Sequence, residues 1–304
     1  MKTASQFNID YTLPVVTLLQ HSGLGVAEIA GRTCYDSFEN SENIEIQNFH
    51  HDLRLDLFDT FSVNQIESSE LLDSLAWVHH HHSIIEHATV SFLVQGVSRG
   101  VLQEHARHRL QNISVRSTRY TMSSILNAFV TSVESWHLQD YKHADGKVTR
   151  EGRDYFIETV LELDMLVTAD EKYNAIEIGS MWDKLFYQRE LSGREDFLEM
   201  TIAKSSLPIF DAKTGEILAF PEKLFKALQE GKKKRNVGDG FKHIVTDNWK
   251  VDMVITFNLR SLKNYFDLRD SGSAWFQIQW LAQAMKEATP VKYLRLIDKK
   301  HKPS

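Results

Sequence analysis

The stretch RHRLQNISVRSTRY, residues 107–120, concentrates arginines and hydroxyl side chains within fourteen positions. Its four arginines are Arg107, Arg109, Arg116 and Arg119. Such a cluster does not suit a buried core, because a guanidinium keeps its charge at any relevant pH. Guanidinium and hydroxyl donors together suit a phosphorylated ligand that is held in one orientation. The stretch therefore predicts a nucleotide-binding site.

The net charge of the whole chain helps to decide whether the arginine cluster binds a small ligand or a nucleic-acid polymer. The formal net charge of the 304 residues is −6 at pH 7, whereas a general nucleic-acid binder usually carries a basic excess. We therefore expect no nucleic-acid polymer as partner. An RNA- or DNA-binding module that uses the arginines as a phosphate track remains the alternative.

Composition indicates a globular protein of one large domain or two small ones, since 42% of the residues are hydrophobic. The one cysteine, Cys34, excludes an internal disulfide framework and favours a reducing compartment, so we expect a cytoplasmic location. No apolar run approaches the ~20 residues that span a bilayer, and the polar start of the chain lacks the apolar segment of a secretory signal. We expect neither export nor a membrane anchor.

Hydrophobic patterning predicts strands and helices on both sides of the arginine stretch. The predicted strands are 15–19, expected to be buried, 88–94, ended by Gly96, and 251–257. The predicted helices are 25–37, 65–78, about 98–110, 258–269 and 273–286, the last as a final amphipathic helix. The helix over 98–110 would bring Glu104, Arg107 and His108 within one turn. From about 130 to 230 the pattern is less informative, with a helix-compatible segment at 155–166 and a turn at 211–216.

Four separated segments resemble signatures of the flavin-dependent thymidylate synthases, which methylate dUMP with a reduced flavin. Arg107-His108-Arg109, followed after seven residues by Ser117, resembles the central signature. The other three segments are His81-His82-Ser83-Ile84-Ile85-Glu86-His87, Gly96-Val97-Ser98-Arg99 and the stretch from Asn258 to Arg269. The likeness is ordered and spans roughly residues 25–125 and 235–290.

The expected fold is an α+β domain with a central, mostly antiparallel twisted sheet that is flanked by helices. It would span residues 1–304, with about 130–230 as a mid-chain insertion. The resemblance implies conversion of dUMP to dTMP with methylenetetrahydrofolate as one-carbon donor and reduced FAD, recharged by NADPH, as hydride source. It also implies a homotetramer whose active sites lie at subunit interfaces.

The resemblance assigns the catalytic role to Arg269, as the cation that activates the pyrimidine. The alternative is that Arg269 only caps a helix or pairs with Asp270. The residues expected to bind the substrate are Glu104, Arg107, Ser117, Thr118, Arg119, Arg235 and Arg269. Those expected on the flavin side are His81, Ser83, Glu86, Arg107, His108, Arg109, Asn258, Arg260, Asn264 and Leu268. For Arg235 a solvated basic loop, Lys232–Arg235, is an equally simple interpretation.

Two sequence features have other interpretations. The run His79–His82 could be a solvated helix end or the centre of a metallohydrolase, but no acidic or cysteine ligand set completes a familiar spacing, so we expect no metal. Cys34 lacks the context of the nucleophile in the unrelated cysteine-dependent thymidylate synthases. We expect it to be a small buried apolar residue, with methylene transfer needing no enzyme nucleophile.

The chain departs from the family pattern at two positions of the central signature. Glu104 stands where the family commonly has glutamine, and Val115 where it commonly has glutamate or glutamine. A carboxylate near a phosphorylated ligand repels it unless an arginine screens the charge, and valine cannot hydrogen-bond through its side chain. These departures bear on the details of nucleotide binding, and the class of ligand stays the same.

Overall fold

The computed structural model describes residues 2–4, 9–48, 65–135, 147–185, 187–188, 209–210, 217–219 and 244–303. The strands are β1 (Lys2–Ala4), β2 (Ile9–Tyr11), β3 (Val15–His21), β4 (Thr89–Ser98), β5 (Gln111–Val115), β6 (Tyr187–Gln188), β7 (Ile209–Phe210), β8 (Ile217–Ala219) and β9 (Lys250–Asn258). The helices are α1 (Gly25–Tyr35), α2 (Ile44–Gln47), α3 (Glu70–Trp77), α4 (Arg99–His105), α5 (Thr118–Ser135), α6 (Lys147–Glu162), α7 (Glu171–Leu185), α8 (Leu259–Arg269), α9 (Phe276–Ala288) and α10 (Val291–Ile297).

The chain divides into two compact units. The first, here called the sheet unit, consists of Leu13–Val115 and Val251–Ser304. The second, here called the helical unit, consists of Met1–Thr12 and Arg116–Lys250. The prediction of a single domain with an insertion at about 130–230 stays a prediction.

The sheet unit is built on a four-stranded sheet in the order β3-β4-β9-β5. The two outer pairs, β3 with β4 and β5 with β9, are antiparallel. Between β4 and β9 the hydroxyl groups of Ser91 and Thr256 lie 2.8 Å apart, and the N–H of Gly96 donates to the carboxylate of Asp252 at 3.0 Å. Residue numbers therefore rise along one strand as they fall along the other, which is the antiparallel sense.

One face of this sheet forms the main hydrophobic core of the unit. Side chains alternate across a strand, so every second residue of the two central strands points to the same face. The buried residues are Val90, Phe92, Val94, Val251, Met253, Ile255 and Phe257. Residues of α1, α3, α4, α8, α9 and α10 pack against them, and each large apolar side chain buried there contributes about 1.5–3 kcal/mol. This confirms the predicted α+β fold with a mostly antiparallel sheet and flanking helices.

Both central strands lead directly into a helix through a side-chain cap. The hydroxyl of Ser98 accepts the N–H of Val101 at 3.1 Å, and the side-chain carbonyl of Asn258 accepts the N–H of Ser261 at 2.8 Å. These bonds satisfy amide groups in the first turn, which have no partner within a helix. The caps fix where α4 and α8 begin, and the predicted start of a helix at Asn258 is confirmed.

The prediction that Gly96 ends its strand was wrong, since β4 continues to Ser98. Gly96 has a φ of 73° inside the strand, a conformation that residues with a Cβ rarely adopt. Its N–H still finds an acceptor, the carboxylate of Asp252. The strand therefore continues through a backbone conformation that favours glycine.

The helix predicted over 98–110 is also shorter than expected, because α4 ends at His105. Gln111 already pairs with Phe257 as the first residue of β5, so the chain must leave the helix before that position. Arg107 and His108 consequently lie in the connection between α4 and β5. They approach Glu104 there, although they do not share a helix with it.

Two further predictions about the sheet unit need correction. Strand β3 was expected to be buried, but it is an edge strand whose Val15 and Leu19 are 59% and 52% exposed, while Val16 and Leu18 pack against the core. The helix predicted over 273–286 is α9, and it is followed by another, α10, which begins after Pro290. The predicted helices over 25–37 and 65–78 are confirmed as α1 and α3.

The helical unit has a separate core between α5, α6 and α7. The rings of Phe129, Phe156 and Trp182 pack together, with centroids 5.1 to 6.2 Å apart, and Trp249 belongs to the same buried cluster. The helix-compatible segment 155–166 is confirmed in large part as the second half of α6. The turn predicted at 211–216 lies outside the described residues. In the part of the chain that the structure describes, no helix is both long and apolar enough to cross a membrane.

Candidate active site

A cleft of about 1120 Å³ opens in the sheet unit beside α8. One wall is the exposed face of that helix, and the other comes from the connection after α4 and from the loop after α8. The lining residues are His82, Arg107, His108, Arg109, Leu110, Phe257, Arg260, Ser261, Lys263, Asn264, Asp267, Leu268, Arg269, Ser273 and Ala274.

Helix α8 presents three of the predicted site residues to the cleft at helical spacing. Arg260, Asn264 and Leu268 are four residues apart, so they follow one another along the same face. On the opposite face Leu262 and Phe266 are buried in the core. The cap at Asn258 therefore fixes the start of the helix and also which side chains face the cleft.

Arg269, at the end of α8, is held by the segment around α4. Its Nε donates to Nε2 of His108 at 2.8 Å, and its Nη2 donates to the backbone carbonyl of Glu104 at 3.4 Å. Its Nη1 lies 3.1 Å from the Glu104 carboxylate. Asp270, the partner considered as an alternative, instead contacts Lys286 at 2.6 Å. The guanidinium is thus fixed by its neighbours and still lines the cleft.

His108 acts as an acceptor toward Arg269, so its Nε2 carries no proton in this arrangement. Burial lowers the pKa of His108, and the nearby Arg269 lowers it further, whereas Glu104 acts in the opposite direction. The ring also packs edge-on against Tyr265, with centroids 4.8 Å apart. A neutral His108 therefore holds Arg269 without adding a second positive charge beside it.

Beneath these residues lies a buried polar pair. His105 Nδ1 and the Tyr265 hydroxyl are 3.1 Å apart, and both residues are fully buried. Burial lowers the pKa of His105 to about 4 and raises the pKa of Tyr265. The buried Nε2 of His105 has no hydrogen-bond partner among the described residues. Both groups are therefore neutral at physiological pH, and the ring of Tyr265 packs against the ring of His108.

The cleft is strongly cationic. Five of its lining side chains are basic, namely Arg107, Arg109, Arg260, Lys263 and Arg269, and one lining side chain, Asp267, is a carboxylate. Lys263 contacts Asp267 at 2.6 Å, and Arg260 contacts Glu86 at 2.5 Å. Arg107 is 74% exposed and lies 3.7 Å from Glu104. Such a lining suits an anionic ligand.

The structure brings many of the sequence-predicted residues to this cleft. The lining residues among them are Arg107, His108, Arg109, Arg260, Asn264, Leu268 and Arg269. Glu104 and Glu86 do not line the cleft, but each contacts an arginine that does. Asn258 caps α8 with its side chain.

The remaining predicted residues are not among those that line the cleft in the described part of the sheet unit. The hydroxyl of Tyr35 is 3.0 Å from Nδ1 of His81, and Ser83 is exposed; neither His81 nor Ser83 lines the cleft. Ser117 and Thr118 are half-buried at the start of the helical unit, and Arg119 follows them in α5. Arg235 lies outside the described residues.

Sequence reasoning missed several residues of the lining. His82 lines the cleft while its Nε2 donates to the carbonyl of Ala76 at 3.0 Å. Lys263 and Asp267 were missed although they lie three and seven residues after Arg260, on adjoining parts of one helical face. That spacing was the available signal. Ser261, Ser273 and Ala274 gave no comparable signal.

Cys34 and the histidine run also have definite positions. Cys34 is exposed on α1, so the expectation that it is buried was wrong. The histidines from His79 to His82 follow the end of α3, as expected. Within the described residues there is no group of three or more histidine, cysteine, aspartate or glutamate side chains arranged to hold a metal ion. Val115 lies on the edge strand β5, opposite Met253, and is 37% exposed.

Comparison with known proteins gives a consistent result. The flavin-dependent thymidylate synthase of Wolinella succinogenes is 25% identical over 278 residues, which cover 91% of this chain and 94% of that protein. The enzyme of the same name from Campylobacter jejuni is 26% identical over 279 residues, covering 91% and 93%.

Solved structures share the fold. A crystal structure of thymidylate synthase X from Helicobacter pylori, described as containing FAD and dUMP, is similar with a TM-score of 0.51 at 23% identity. The likeness covers 95% of this chain and 100% of that one. The family described as thymidylate synthase complementing protein matches residues 17–291. The chain therefore belongs to that family, the flavin-dependent thymidylate synthases.

Proposed function

We propose that this protein is a thymidylate synthase that converts dUMP to dTMP with reduced FAD as hydride source. Its family membership supports this proposal. So do the relatives named flavin-dependent thymidylate synthase, which the chain matches over nearly their whole length. Two similar solved structures are described as complexes with FAD and dUMP. The observation in this chain that carries the proposal is the fixed guanidinium of Arg269 at a cleft lined by five cations.

The lining of the cleft fits such ligands. FAD and dUMP both combine phosphate groups with a flat heterocycle, and arginine binds phosphate through several N–H donors in a fixed geometry. Among the cleft residues we assign the flavin contacts to Arg107, His108, Arg109, Arg260, Asn264 and Leu268. We extend the flavin side to His81, Ser83, Glu86 and Asn258. When bound and reduced, FAD would supply the hydride and become oxidised; we propose that NADPH reduces it again and that methylenetetrahydrofolate supplies the carbon.

Arg269 is the residue to which we assign catalysis. Methylation at C5 moves negative charge onto the carbonyl oxygens and N3 of the pyrimidine. A cation that is already in place stabilises this charge more than it stabilises the neutral ring, so it lowers the barrier. Arg269 meets this requirement because His108 and Glu104 hold its guanidinium before any ligand arrives.

The nucleotide phosphate requires further donors. We propose Arg107, Ser117, Thr118, Arg119 and Arg235 for this role, on the basis of the signature in which the first four occur and of the basic segment that contains the last. Guanidinium groups form strong charge-assisted hydrogen bonds to phosphate, and hydroxyl groups supply additional donors. Cys34 has no part in the proposed reaction.

We further propose a cytoplasmic homotetramer whose active sites include residues of more than one subunit. Two exposed apolar side chains of the cleft are consistent with a second surface that covers them in the assembly. Leu110 and Leu268 line the cleft and are 75% and 53% exposed in the single chain. A flat ring or a second subunit would cover them, which is the favourable state for apolar surface.

The test uses purified protein supplemented with FAD and then freed of unbound cofactor. We expect a yellow protein that binds dUMP in calorimetry and releases tritium from C5-labelled dUMP when methylenetetrahydrofolate and NADPH are supplied. A well-folded preparation that stays colourless and does not bind dUMP would contradict the proposal.

Leaving out one component at a time tests the roles of the co-substrates. With chemically reduced flavin, a single turnover to dTMP should no longer need NADPH but should still need the folate. If dTMP forms without any folate, the assigned carbon donor is wrong, while the assignment as thymidylate synthase stands.

A further inference from the structure

Arg269 retains hydrogen-bonding capacity after its protein contacts are made. A guanidinium has about five N–H donors. Three contacts are formed, one each from Nε, Nη1 and Nη2, and all of them go to His108 or Glu104. Nη2 uses one of its two hydrogens, and Nη1 is in an ion pair with the carboxylate at 3.1 Å, so each Nη nitrogen keeps at least one donor. These remaining donors belong to a side chain that lines the cleft.

Glu104 lies behind Arg269 rather than in the lining. It occupies the last turn of α4 and is absent from the residues that face the cleft. Its carboxylate reaches two arginines, Arg269 at 3.1 Å and Arg107 at 3.7 Å. Its backbone carbonyl accepts a bond from Arg269 as well. Main chain and side chain of one residue thus contact the same guanidinium.

We propose that Glu104 is a positioning residue for Arg269 and makes no contact with the nucleotide. The inference rests on the proposed function. The Glu104 carboxylate and the His108 ring fix two different nitrogens of the guanidinium, which determines the orientation of its plane. With that plane fixed, the spare donors keep one direction relative to the pyrimidine, and the charge is in place when the transition state forms.

The proposal explains why a carboxylate is tolerated beside an anionic ligand. Its charge is directed to two arginines, so it is screened by its own partners. The side chain of Glu104 is 37% exposed and that of Arg269 is 18% exposed, so the pair is only partly shielded from water. A glutamine at position 104 retains an acceptor for Arg269, whereas an alanine retains none.

The first experiment compares Glu104→Gln and Glu104→Ala by the tritium-release assay. We expect Glu104→Ala to lower kcat by roughly 30- to 100-fold, because small displacements of a catalytic group have effects of this order. Glu104→Gln should lower kcat by less than about fivefold, because the acceptor remains. Neither change should raise the KM for dUMP by more than about twofold, since a transition-state effect appears in kcat.

The matched control removes a carboxylate from another arginine of the sheet unit. Asp73 on α3 contacts Nε of Arg295 at 3.0 Å and lies outside the cleft lining. Asp73→Asn should therefore leave kcat and KM unchanged within about twofold. A loss in this variant equal to that of Glu104→Ala would show that any broken ion pair disturbs the assay, and would remove the support for a specific role.

A second experiment tests the coupling between the two residues. In an Arg269→Lys background, adding Glu104→Ala should lower kcat further by less than about threefold, because the group that Glu104 positions has already been replaced.

A third experiment observes the Arg269 side chain by NMR. In ¹⁵N-arginine-labelled protein without ligands, the Arg269 Nε–H signal should be protected from exchange in the wild type and in Glu104→Gln, and lost in Glu104→Ala.

The outcomes distinguish this inference from the proposed function. If the wild type releases no tritium from dUMP, the proposed function fails, while the exchange signal still reports whether Glu104 orders Arg269. If the wild type is active and Glu104→Gln raises KM as strongly as Glu104→Ala does, Glu104 is a ligand of the nucleotide and the inference is overturned. Additive losses in the double variant would overturn it too.

Discussion

Two arginine–glutamate pairs in the sheet unit differ in their surroundings, since one pair is enclosed and the other borders a cleft. In the first, Arg32 and Glu28 lie one turn apart on α1, with side chains 9% and 1% exposed. The Glu28 carboxylate also accepts from the Ser41 hydroxyl at 2.7 Å and from the Asn43 amide at 2.9 Å. Arg32 donates in addition to the carbonyl of Ser37 at 3.4 Å. This pair is enclosed by the segment that it holds.

The second pair, Arg269 and Glu104, joins two helices at the edge of a cleft, and its arginine lines that cleft. Residue type and partner are the same in both pairs, so neither distinguishes a structural arginine from a functional one. The number of protein contacts is similar for the two arginines, so the difference lies in burial and in whether the arginine lines a cleft. A charge pair that is enclosed by protein stabilises one conformation, and a held charge that borders a cleft can bind a ligand.

The largest expected effect comes from breaking the enclosed pair. Glu28→Ala would leave Arg32 buried without its anion, a change that typically costs about 3–5 kcal/mol. Urea unfolding should show this as a lower free energy of unfolding. Glu45→Ala, at an exposed glutamate on α2, should change the value by less than about 0.5 kcal/mol. Equal values for the two variants would mean that the pair on α1 is not structural.

Breaking the open pair should affect the rate rather than the fold. Arg269→Ala removes the preorganised cation, so kcat for tritium release should fall by roughly 10²–10³-fold. The protein should still bind FAD, and its unfolding free energy should fall by less than that of Glu28→Ala. Unchanged tritium release would remove Arg269 from its assigned role.

The buried His105, which pairs with Tyr265 below His108 and Arg269, can be tested through the pH dependence of stability. Burial lowers its pKa from 6.5 in the unfolded chain to about 4 in the folded protein. Its contribution to stability is therefore complete above pH 6.5 and is lost as the pH falls from 6.5 to 4, by about 3 kcal/mol over the window. Unfolding measured between these pH values should show a smaller loss for His105→Gln than for the wild type. His79→Gln, at an exposed histidine, is the control. Parallel losses in all three proteins would contradict the assignment.

The smallest effect is expected at the thiol. Cys34 is exposed on α1 and does not line the cleft, so Cys34→Ala should retain tritium release within about twofold. A folded Cys34→Ala protein without activity would instead restore a mechanism with a cysteine nucleophile.

The sequence predicted those parts of the fold that have a strong local signal. The apolar run of β9 and the cap at Asn258 define a strand, a boundary and a helix within twenty residues, and all three were found. The end of α4 was missed because it is determined by the pairing of Gln111 with Phe257, a contact between residues far apart in the chain. Local patterns carry no information about such pairing. The exposure of Val15 has the same origin, since an edge strand differs from a central one only through its neighbours.

In the candidate site too, the sequence predicted features with a local signal and missed those that depend on contacts between distant residues. The resemblance to the family signatures pointed to Arg107, His108 and Arg269, and all three line the cleft. They could not reveal that His108 accepts from Arg269, or that Glu104 approaches from behind, since both depend on how α4 and α8 meet. Lys263 was overlooked because a lysine on an exposed helical face is usually a solvated charge.

The position of Cys34 also makes the chain easy to label. One accessible thiol per polypeptide means that a maleimide fluorophore attaches at a single defined place, on a helix that is not part of the cleft lining. Stepwise photobleaching of single labelled particles would then count the subunits directly, with four steps marking a tetramer.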